Sequence, residues 1–208
     1  MKILNSLKIK IFADGANFED IINLNKKEFI KGFTTNPSLM KKAKIQNYES
    51  FAKDLLNQIK DKPVSFEVFS DELDEMEKQA EKIATWGKNV NVKIPITNTK
   101  NISTKELIHK LSQKGIICNI TAIFTLEQIK EVVEVLHNET PAILSVFAGR
   151  IYDCGQDANK IMKEICQITK NDSKCKVLWA SPRMPYDYIS AINCGAQIIT
   201  MQLSQIKN

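Results

Sequence analysis

A lysine and a glutamate in two neighbouring strand-like segments are the residues of this sequence best suited to chemistry. Glu67 in VSFEVF and Lys93 in VNVKIPI each alternate with apolar residues. If the apolar residues pack against helices, Glu67 and Lys93 point the other way, into the protein interior. Burial favours the neutral amine over the ammonium, and a neutral amine can attack a ketone to form an imine. The protonated imine withdraws electrons, so that a neighbouring C–C bond can break.

An imine reaction also needs groups that transfer protons. The chain has only two histidines, both in segments typical of helix surfaces, so carboxylates, lysine or hydroxyls must supply this chemistry. Asp14 ends the first strand-like segment, and Glu67 lies in the third. Other polar residues near the segment ends are Asn36, Asn119, Thr121 and Ser145. Such a set is costly to bury unless it is used or fully hydrogen-bonded, which favours a catalytic site over a self-satisfied Lys–Glu pair.

Arginine usage indicates a phosphate site. Of the 29 lysines and arginines, only Arg150 and Arg183 are arginine. Where lysine serves for ordinary positive charge, arginine is expected at positions that need its planar fork, such as those that bind phosphate or carboxylate. Both arginines follow predicted strands, the sixth and the seventh. Barrel enzymes commonly bind phosphate near the ends of their last strands.

The elements that must position these residues are strands alternating with helices. Helix-period spacing is clear at Leu73, Met76, Ala80 and Ile83. Eight such units predict a (β/α)₈ barrel, with residues 1–208 as a single domain; a doubly wound open sheet is the alternative, but no glycine-rich nucleotide loop follows the first strand. Because few residues follow the eighth strand, we expect the last helix to be truncated or absent. The predicted strands are residues 8–14, 29–35, 64–69, 90–96, 116–122, 142–149, 176–181 and 197–202.

Composition excludes several classes of function. The net charge is +5, but the lysines are interspersed with acidic residues, so we expect no nucleic-acid binding. No apolar run is long enough for a membrane span, and the N-terminal residues show no signal-peptide pattern, so a cytoplasmic protein is expected. Five cysteines without C-x-x-C spacing predict free thiols, and we expect neither a metal nor a cofactor.

On its motifs the chain resembles the transaldolase family, in particular the small-barrel subfamily that includes fructose-6-phosphate aldolase. Each motif is short, but together and in order they span nearly the whole chain. The motifs are Asp14 in FADGA, Thr34 and Asn36 in TTNPS, Glu67 in FEV, Lys93 in VKIP, Asn119 and Thr121 in CNIT, Ser145, Phe147 and Arg150 in SVFAGRI, and Ser181 and Arg183 in ASPR.

The resemblance implies a role for each of these residues. Lys93 would form the Schiff base, Asp14 would exchange the proton of the hydroxyl at the cleaved carbon, and Glu67 and Thr121 would hold a catalytic water. The residues implied to bind the dihydroxyacetone portion are Asn36, Asn119 and Ser145, with Thr34 and Phe147 as further substrate contacts, and those implied to bind phosphate are Arg150, Ser181 and Arg183.

Within the family, Glu67 and Phe147 resemble the transaldolase pattern, because the related aldolases carry Gln and Tyr there. The implied reaction transfers dihydroxyacetone from a ketose phosphate, such as fructose 6-phosphate or sedoheptulose 7-phosphate, to an aldose phosphate, in a homo-oligomeric enzyme. One alternative is an aldolase that releases free dihydroxyacetone. Another is a catalytically weak sugar-phosphate-binding protein, which only the short C-terminus supports.

Overall fold

Eight parallel strands close into a barrel in the computed structural model, which describes residues 9–170 and 174–206. Each strand pairs with the next one along the chain, and β8 pairs with β1. This order confirms the predicted (β/α)₈ barrel. The strands are β1 (Lys10–Asp14), β2 (Ile30–Thr34), β3 (Val64–Glu67), β4 (Val90–Pro95), β5 (Cys118–Ile123), β6 (Ala142–Val146), β7 (Cys175–Trp179) and β8 (Ile198–Gln202).

Helices connect successive strands, and two of the connections contain a pair of helices. Every helix among the described residues is too short or too polar to span a bilayer. The helices are α1 (Phe18–Asn25), α2 (Pro37–Lys42), α3 (Tyr48–Gln58), α4 (Leu73–Ala84), α5 (Lys105–Gln113), α6 (Leu126–Val135), α7 (Ala148–Asp153), α8 (Ala158–Ile168), α9 (Asp187–Cys194) and α10 (Leu203–Ile206).

Side-chain caps mark where several helices begin. Asn17, Asn36 and Asp157 each accept a hydrogen bond from the backbone N–H three residues further on, which satisfies a donor of the first helical turn. Before α6, Thr125 and Gln128 form a reciprocal capping box. These caps set the points at which the chain leaves the barrel rim and turns back along the outside.

Several strand boundaries in the structure differ from the predicted ones. Predicted strand six extends to residue 149, but β6 ends at Val146 because Phe147 is the N-cap of α7. Predicted strand three extends to residue 69, but β3 ends at Glu67. Residue 8, predicted to start the first strand, lies outside the described residues. The short helix α10, Leu203–Ile206, follows β8 at the end of the described residues, and truncation of the last helix stays a prediction.

The barrel interior has an apolar part and a polar part. A compact apolar cluster fills it on the side of β1, β6, β7 and β8, and on the side of β3, β4 and β5 the buried residues Ser65, Asn91 and Asn119 are polar. A larger core packs the outer strand faces against the helices. The polar strands thus adjoin each other, beneath the predicted catalytic residues. The inner apolar cluster consists of Phe12, Ile143, Leu178, Ala180 and Ile198.

Gly32 provides the space that the inner cluster needs. A Cβ atom at this position would lie 2.6 Å from two carbons of the Phe12 ring. We predict that Gly32→Ala lowers the free energy of unfolding by about 1–3 kcal/mol, because the ring must move within a closed interior. Urea denaturation measures this. Gly15→Ala is the control, since a Cβ there would have no atom within 4 Å. Equal stability of the two variants would contradict the predicted clash.

Candidate active site

Lys93 and Glu67 form an ion pair inside the barrel. They are register partners on β4 and β3, and Lys93 Nζ lies 3.0 Å from Glu67 Oε2. Lys93 Nζ also donates to the backbone oxygen of Thr35 at 3.3 Å. Only 9% of the Lys93 side chain is exposed, so the amine has little contact with bulk solvent. The placement predicted from strand alternation is therefore the one observed, and the carboxylate offsets the cost of burying the ammonium.

Asp14 lies at the end of β1, on the same inner surface. Its Oδ1 accepts a hydrogen bond from Thr34 Oγ1 at 2.8 Å. Burial raises the pKa of Asp14, and the charge of Lys93 and the hydrogen bond from Thr34 offset part of that rise. An aspartate with a raised pKa can hold a proton closer to neutral pH than an exposed one. It is therefore suited to general acid–base chemistry.

Thr121 presents a buried hydroxyl without a hydrogen-bond partner among the described residues. The hydroxyl lies at a bulge, where the register between β5 and β6 shifts and Ala122 adopts a left-handed φ of 57°. A buried hydroxyl without a partner is costly, so backbone strain and an unpaired group coincide at one position. The Thr121 side chain lines the same cavity as Lys93 and Glu67. It can bind a polar group that enters there.

Ser145 and Asn119 belong to a buried hydrogen-bond chain. Ser145 Oγ donates to Asn119 Oδ1 at 2.6 Å, and Asn119 Nδ2 donates to Ser65 Oγ at 3.0 Å. Ser145 lines the cavity, whereas Asn119 is fully buried behind it. The structure thus places the Asn119 amide to orient Ser145. Direct contact of Asn119 with a substrate stays a prediction.

Arg150 and Arg183 lie together at the cavity mouth. The Arg150 guanidinium carbon is 5.7 Å from the centroid of the Phe147 ring. Arg183 donates through Nη1 to Ser181 Oγ at 3.1 Å and through Nε to Asp153 Oδ1 at 3.0 Å, with a second bond from Nη2 to the same carboxylate. This pairing lowers the pKa of Asp153. The predicted phosphate-binding residues are thus neighbours.

The segments that carry the two arginines touch main chain to main chain. A Cβ atom on Gly149 would lie 1.7 Å from the backbone oxygen of Ser181, so only glycine fits there. Ser181 itself has a left-handed φ of 58°. This contact sets how far Arg150 and Arg183 are from one another.

These side chains border one cavity of about 510 Å³ at the carboxyl ends of the strands. This is the end at which barrel enzymes carry their active sites, and the volume suits a small ligand. Asn36 also lines the cavity, although its side-chain oxygen caps α2 by accepting from the Leu39 N–H at 2.9 Å. Of the predicted site residues, those in the lining are Asp14, Thr34, Asn36, Glu67, Lys93, Thr121, Ser145, Phe147, Arg150, Ser181 and Arg183.

Thr200, Gln202 and Gln205 are among the lining residues that were not predicted from the sequence. Thr200 and Gln202 alternate with the helix-facing residues of β8, and that period is a signal which could have identified them. Gln205 lies in α10, where its amide donates to Pro182 O at 2.9 Å and accepts from the Gln202 N–H at 3.0 Å. It connects the end of β8 to the segment that carries Arg183.

Comparison with known proteins identifies the family. Residues 11–208 match the family model described as transaldolase/fructose-6-phosphate aldolase. The chain belongs to this family. The resemblance predicted from the motifs is thereby confirmed, and the protein is an enzyme of the aldolase and transaldolase kind.

Relatives named probable transaldolase extend over nearly all of the chain. The protein of Sulfurihydrogenibium sp. (strain YO3AOP1) is 35% identical over 201 residues, which cover 95% of this chain and 87% of the relative. The protein of Thermoplasma volcanium is 36% identical over 202 residues, covering 96% of this chain and 86% of the relative. The match is therefore to the greater part of these family members.

More distant solved structures share the fold. A 2,3-dimethylmalate lyase superimposes with a TM-score of 0.63 at 10% identity, covering 96% of this chain and 78% of that one. The dihydrodipicolinate synthase of Rhodopseudomonas palustris gives a TM-score of 0.53 at 14% identity, covering 93% of this chain and 69% of that one. At these identities the likeness concerns the barrel alone.

The raised pKa of Asp14 predicts that its carboxylate destabilises the fold. Because its pKa is higher in the folded state than in the unfolded state, Asp14 lowers the stability of the fold as the pH rises from the unfolded pKa through the folded pKa, and the loss is complete above that. We therefore expect Asp14→Asn to unfold at higher urea concentration than wild type at about pH 8, with the gain shrinking towards about pH 4.

Asp71→Asn is the control, because its effect on stability should change with pH in the opposite direction. Two hydrogen bonds from Thr99 lower the pKa of Asp71, so this carboxylate stabilises the fold above its ordinary titration range and loses that effect as the pH falls. If Asp14→Asn proves less stable than wild type at about pH 8, the inferred cost of burying Asp14 is wrong.

Proposed function

We propose that this enzyme is a transaldolase, which transfers a dihydroxyacetone unit from a ketose phosphate to an aldose phosphate through a Schiff base on Lys93. The observation that carries the proposal is the buried amine of Lys93, 3.0 Å from Glu67, in one cavity with Asp14 and two arginines. An amine can become the nucleophile only after it gives up its proton. The Glu67 carboxylate is the nearest acceptor.

The reaction begins with formation of the imine. The neutral Lys93 amine attacks the ketone carbon of the donor sugar, and the carbinolamine that results loses water. Glu67 can accept and return the protons of these steps, and the unpaired Thr121 hydroxyl can hold the water through which they pass. The protonated imine serves as the electron sink, so the reaction requires neither a metal nor an organic cofactor.

C–C cleavage then uses Asp14 as the base. The carboxylate takes the proton of the hydroxyl on the carbon that loses the C–C bond, and this carbon becomes the aldehyde of the departing aldose phosphate. The electrons of the broken bond move into the imine to form an enamine. The enamine remains attached to Lys93 until an acceptor aldehyde arrives. The same steps in reverse join the two carbons, with Asp14 returning its proton.

In this proposal the two arginines bind the phosphate group of both the donor sugar and the acceptor sugar. Among the described residues, no carboxylate forms an ion pair with Arg150. Arg183 has its planar group oriented by Asp153 and Ser181. Two guanidinium groups at a cavity mouth suit a phosphate dianion. Sugar phosphates are therefore the proposed substrates, and a homo-oligomer is the proposed assembly.

Transfer and simple aldol cleavage differ in the fate of the enamine once the C–C bond has broken. Glu67 and Phe147 follow the transferase pattern of the family, whereas an aldolase would release free dihydroxyacetone. Fructose 6-phosphate supplied without an acceptor distinguishes the two. A transaldolase gives at most one turnover per site, and sustained release of dihydroxyacetone would assign the chain to the aldolases.

Borohydride trapping tests the Schiff base. Reduction in the presence of fructose 6-phosphate is expected to attach one dihydroxyacetone or hexose phosphate unit to the peptide that contains Lys93, because borohydride reduces the imine to a stable amine. Mass mapping locates the adduct. Lys93→Ala should abolish both the adduct and turnover.

Lys88→Ala is the matched control for this experiment. Lys88 is exposed and lies shortly before β4, at the opposite end of the barrel from Lys93. It should retain the adduct and the activity of wild type. An adduct that persists in Lys93→Ala, or that maps elsewhere, would exclude Lys93 as the nucleophile.

Arg183→Ala tests the phosphate site. We expect the KM for fructose 6-phosphate to rise about ten- to a hundredfold with a smaller change in kcat, since the charge-assisted hydrogen bonds to phosphate are made in substrate and transition state alike. Steady-state kinetics measure this. The KM for a donor sugar without phosphate should be unchanged by the substitution. A fall in kcat at constant KM would show that Arg183 does not bind the substrate phosphate.

A further inference from the structure

Three side chains from neighbouring strands form a hydroxyl chain that ends on Asp14. Thr200 Oγ1 on β8 lies 2.6 Å from Thr34 Oγ1 on β2, which in turn lies 2.8 Å from Asp14 Oδ1 on β1. Thr34 and Thr200 are both buried, and all three residues line the cavity. The hydroxyl chain thus runs from Thr200 on β8 to Thr34 on β2 and ends on Asp14 of β1, the strand that lies between those two.

The direction of these hydrogen bonds follows from counting protons. A hydroxyl has one proton to donate, and Thr34 donates its proton to the Asp14 carboxylate. The short contact between the two hydroxyls then requires Thr200 to be the donor and Thr34 the acceptor. Hydrogen bonds that run in one direction polarise each other, so the donation by Thr200 strengthens the donation by Thr34.

The two oxygens of Asp14 therefore differ. Oδ1 is held by Thr34, and the Asp14 side chain makes no other hydrogen bond with the described residues. Oδ2 is thus left for a partner in the cavity that Asp14 lines. Protonation of Oδ2 leaves the bond from Thr34 intact, because Oδ1 is still an acceptor. The hydroxyl chain is compatible with both the acid and the base form of Asp14.

We propose that Thr200 is a positioning residue that acts through Thr34 to hold Oδ1 of Asp14, so that Oδ2 is the oxygen that exchanges protons with the substrate. The proposal rests on the function proposed above, in which Asp14 takes the proton of a substrate hydroxyl. That proton moves from the substrate oxygen to Oδ2, and the electrons of the oxygen form the new carbonyl. Thr200 and Thr34 keep their own protons throughout.

The charge of Lys93 acts on Asp14, and other charged groups lie nearby. Lys93 faces it from β4, with Glu67 of β3 paired to that lysine, and Asp20 of α1 and Lys42 of α2 line the groove that Asp14 borders on its outer side. Substituting Thr200 leaves all of these groups in place. A change in the titration of Asp14 in that variant would therefore report on the hydroxyl chain alone.

Thr200→Val is the informative variant, because valine keeps the shape of threonine without its hydroxyl. Loss of the donation weakens the bond from Thr34, which stabilises the carboxylate, so the pKa of Asp14 should be higher in the variant. We expect kcat/KM to fall about three- to tenfold, the effect of one modest hydrogen bond, and its acidic limb to move to higher pH. Thr200→Ser should restore both properties.

Two additional variants separate this effect from changes in folding. Thr140→Val removes a buried hydroxyl that donates to Ser112 O at 2.7 Å, far from the site, and should keep the wild-type pH profile. If Thr200→Val does not fold, Thr200→Ala removes the same hydroxyl with a smaller side chain. An unchanged pH profile in the folded variant overturns the proposal, whatever happens to its melting temperature.

Carbon-13 NMR of the Asp14 carboxyl distinguishes failure of this proposal from failure of the proposed function. The resonance is assigned by its loss in Asp14→Asn and is titrated in wild type and in Thr200→Val. A shift in the titration midpoint without any borohydride adduct on Lys93 would preserve the hydroxyl chain and reject the Schiff-base reaction. A borohydride adduct on Lys93 in wild type, together with identical titration midpoints of Asp14 in wild type and in Thr200→Val, would support the Schiff-base reaction and reject the role of the hydroxyl chain.

Discussion

The burial of one ammonium group is the constraint on which the rest of this site depends. A lysine inside a closed barrel is tolerated only where oxygen atoms surround it, and Glu67 and the backbone of Thr35 provide them. Because these partners come from β3 and from the end of β2, the polar residues must lie on adjoining strands. The apolar inner cluster of β1, β6, β7 and β8 then closes the remainder of the interior.

The two kinds of interior residue have different tasks. The apolar cluster around Phe12 fixes the barrel shape by close packing, whereas Asn119, Ser65 and Ser145 hold their orientation through hydrogen bonds. A site built in this way is stiff before any substrate arrives. Stiffness suits the proposed Schiff-base reaction, in which several proton transfers take place at fixed positions around one carbon.

Strand period and residue type were enough to predict the barrel, the inward direction of Lys93 and Glu67, and the presence of both arginines at one end of the barrel. They were insufficient where a contact joins residues distant in the chain. Thr200 looks like an ordinary strand threonine until its hydroxyl is seen next to Thr34, 166 positions away. The bulge at Ala122 also has no sequence signal, since alanine rarely adopts a positive φ.

The main-chain contact between Gly149 and Ser181 has a consequence for altering substrate range by design. Since the first turn of α7 and the segment after β7 abut without an intervening side chain, neither segment can be lengthened or shortened alone without displacing the other. Libraries that seek new substrates should therefore keep both segments at their present length. Diversity is better introduced elsewhere on the rim, in segments that take no part in this contact.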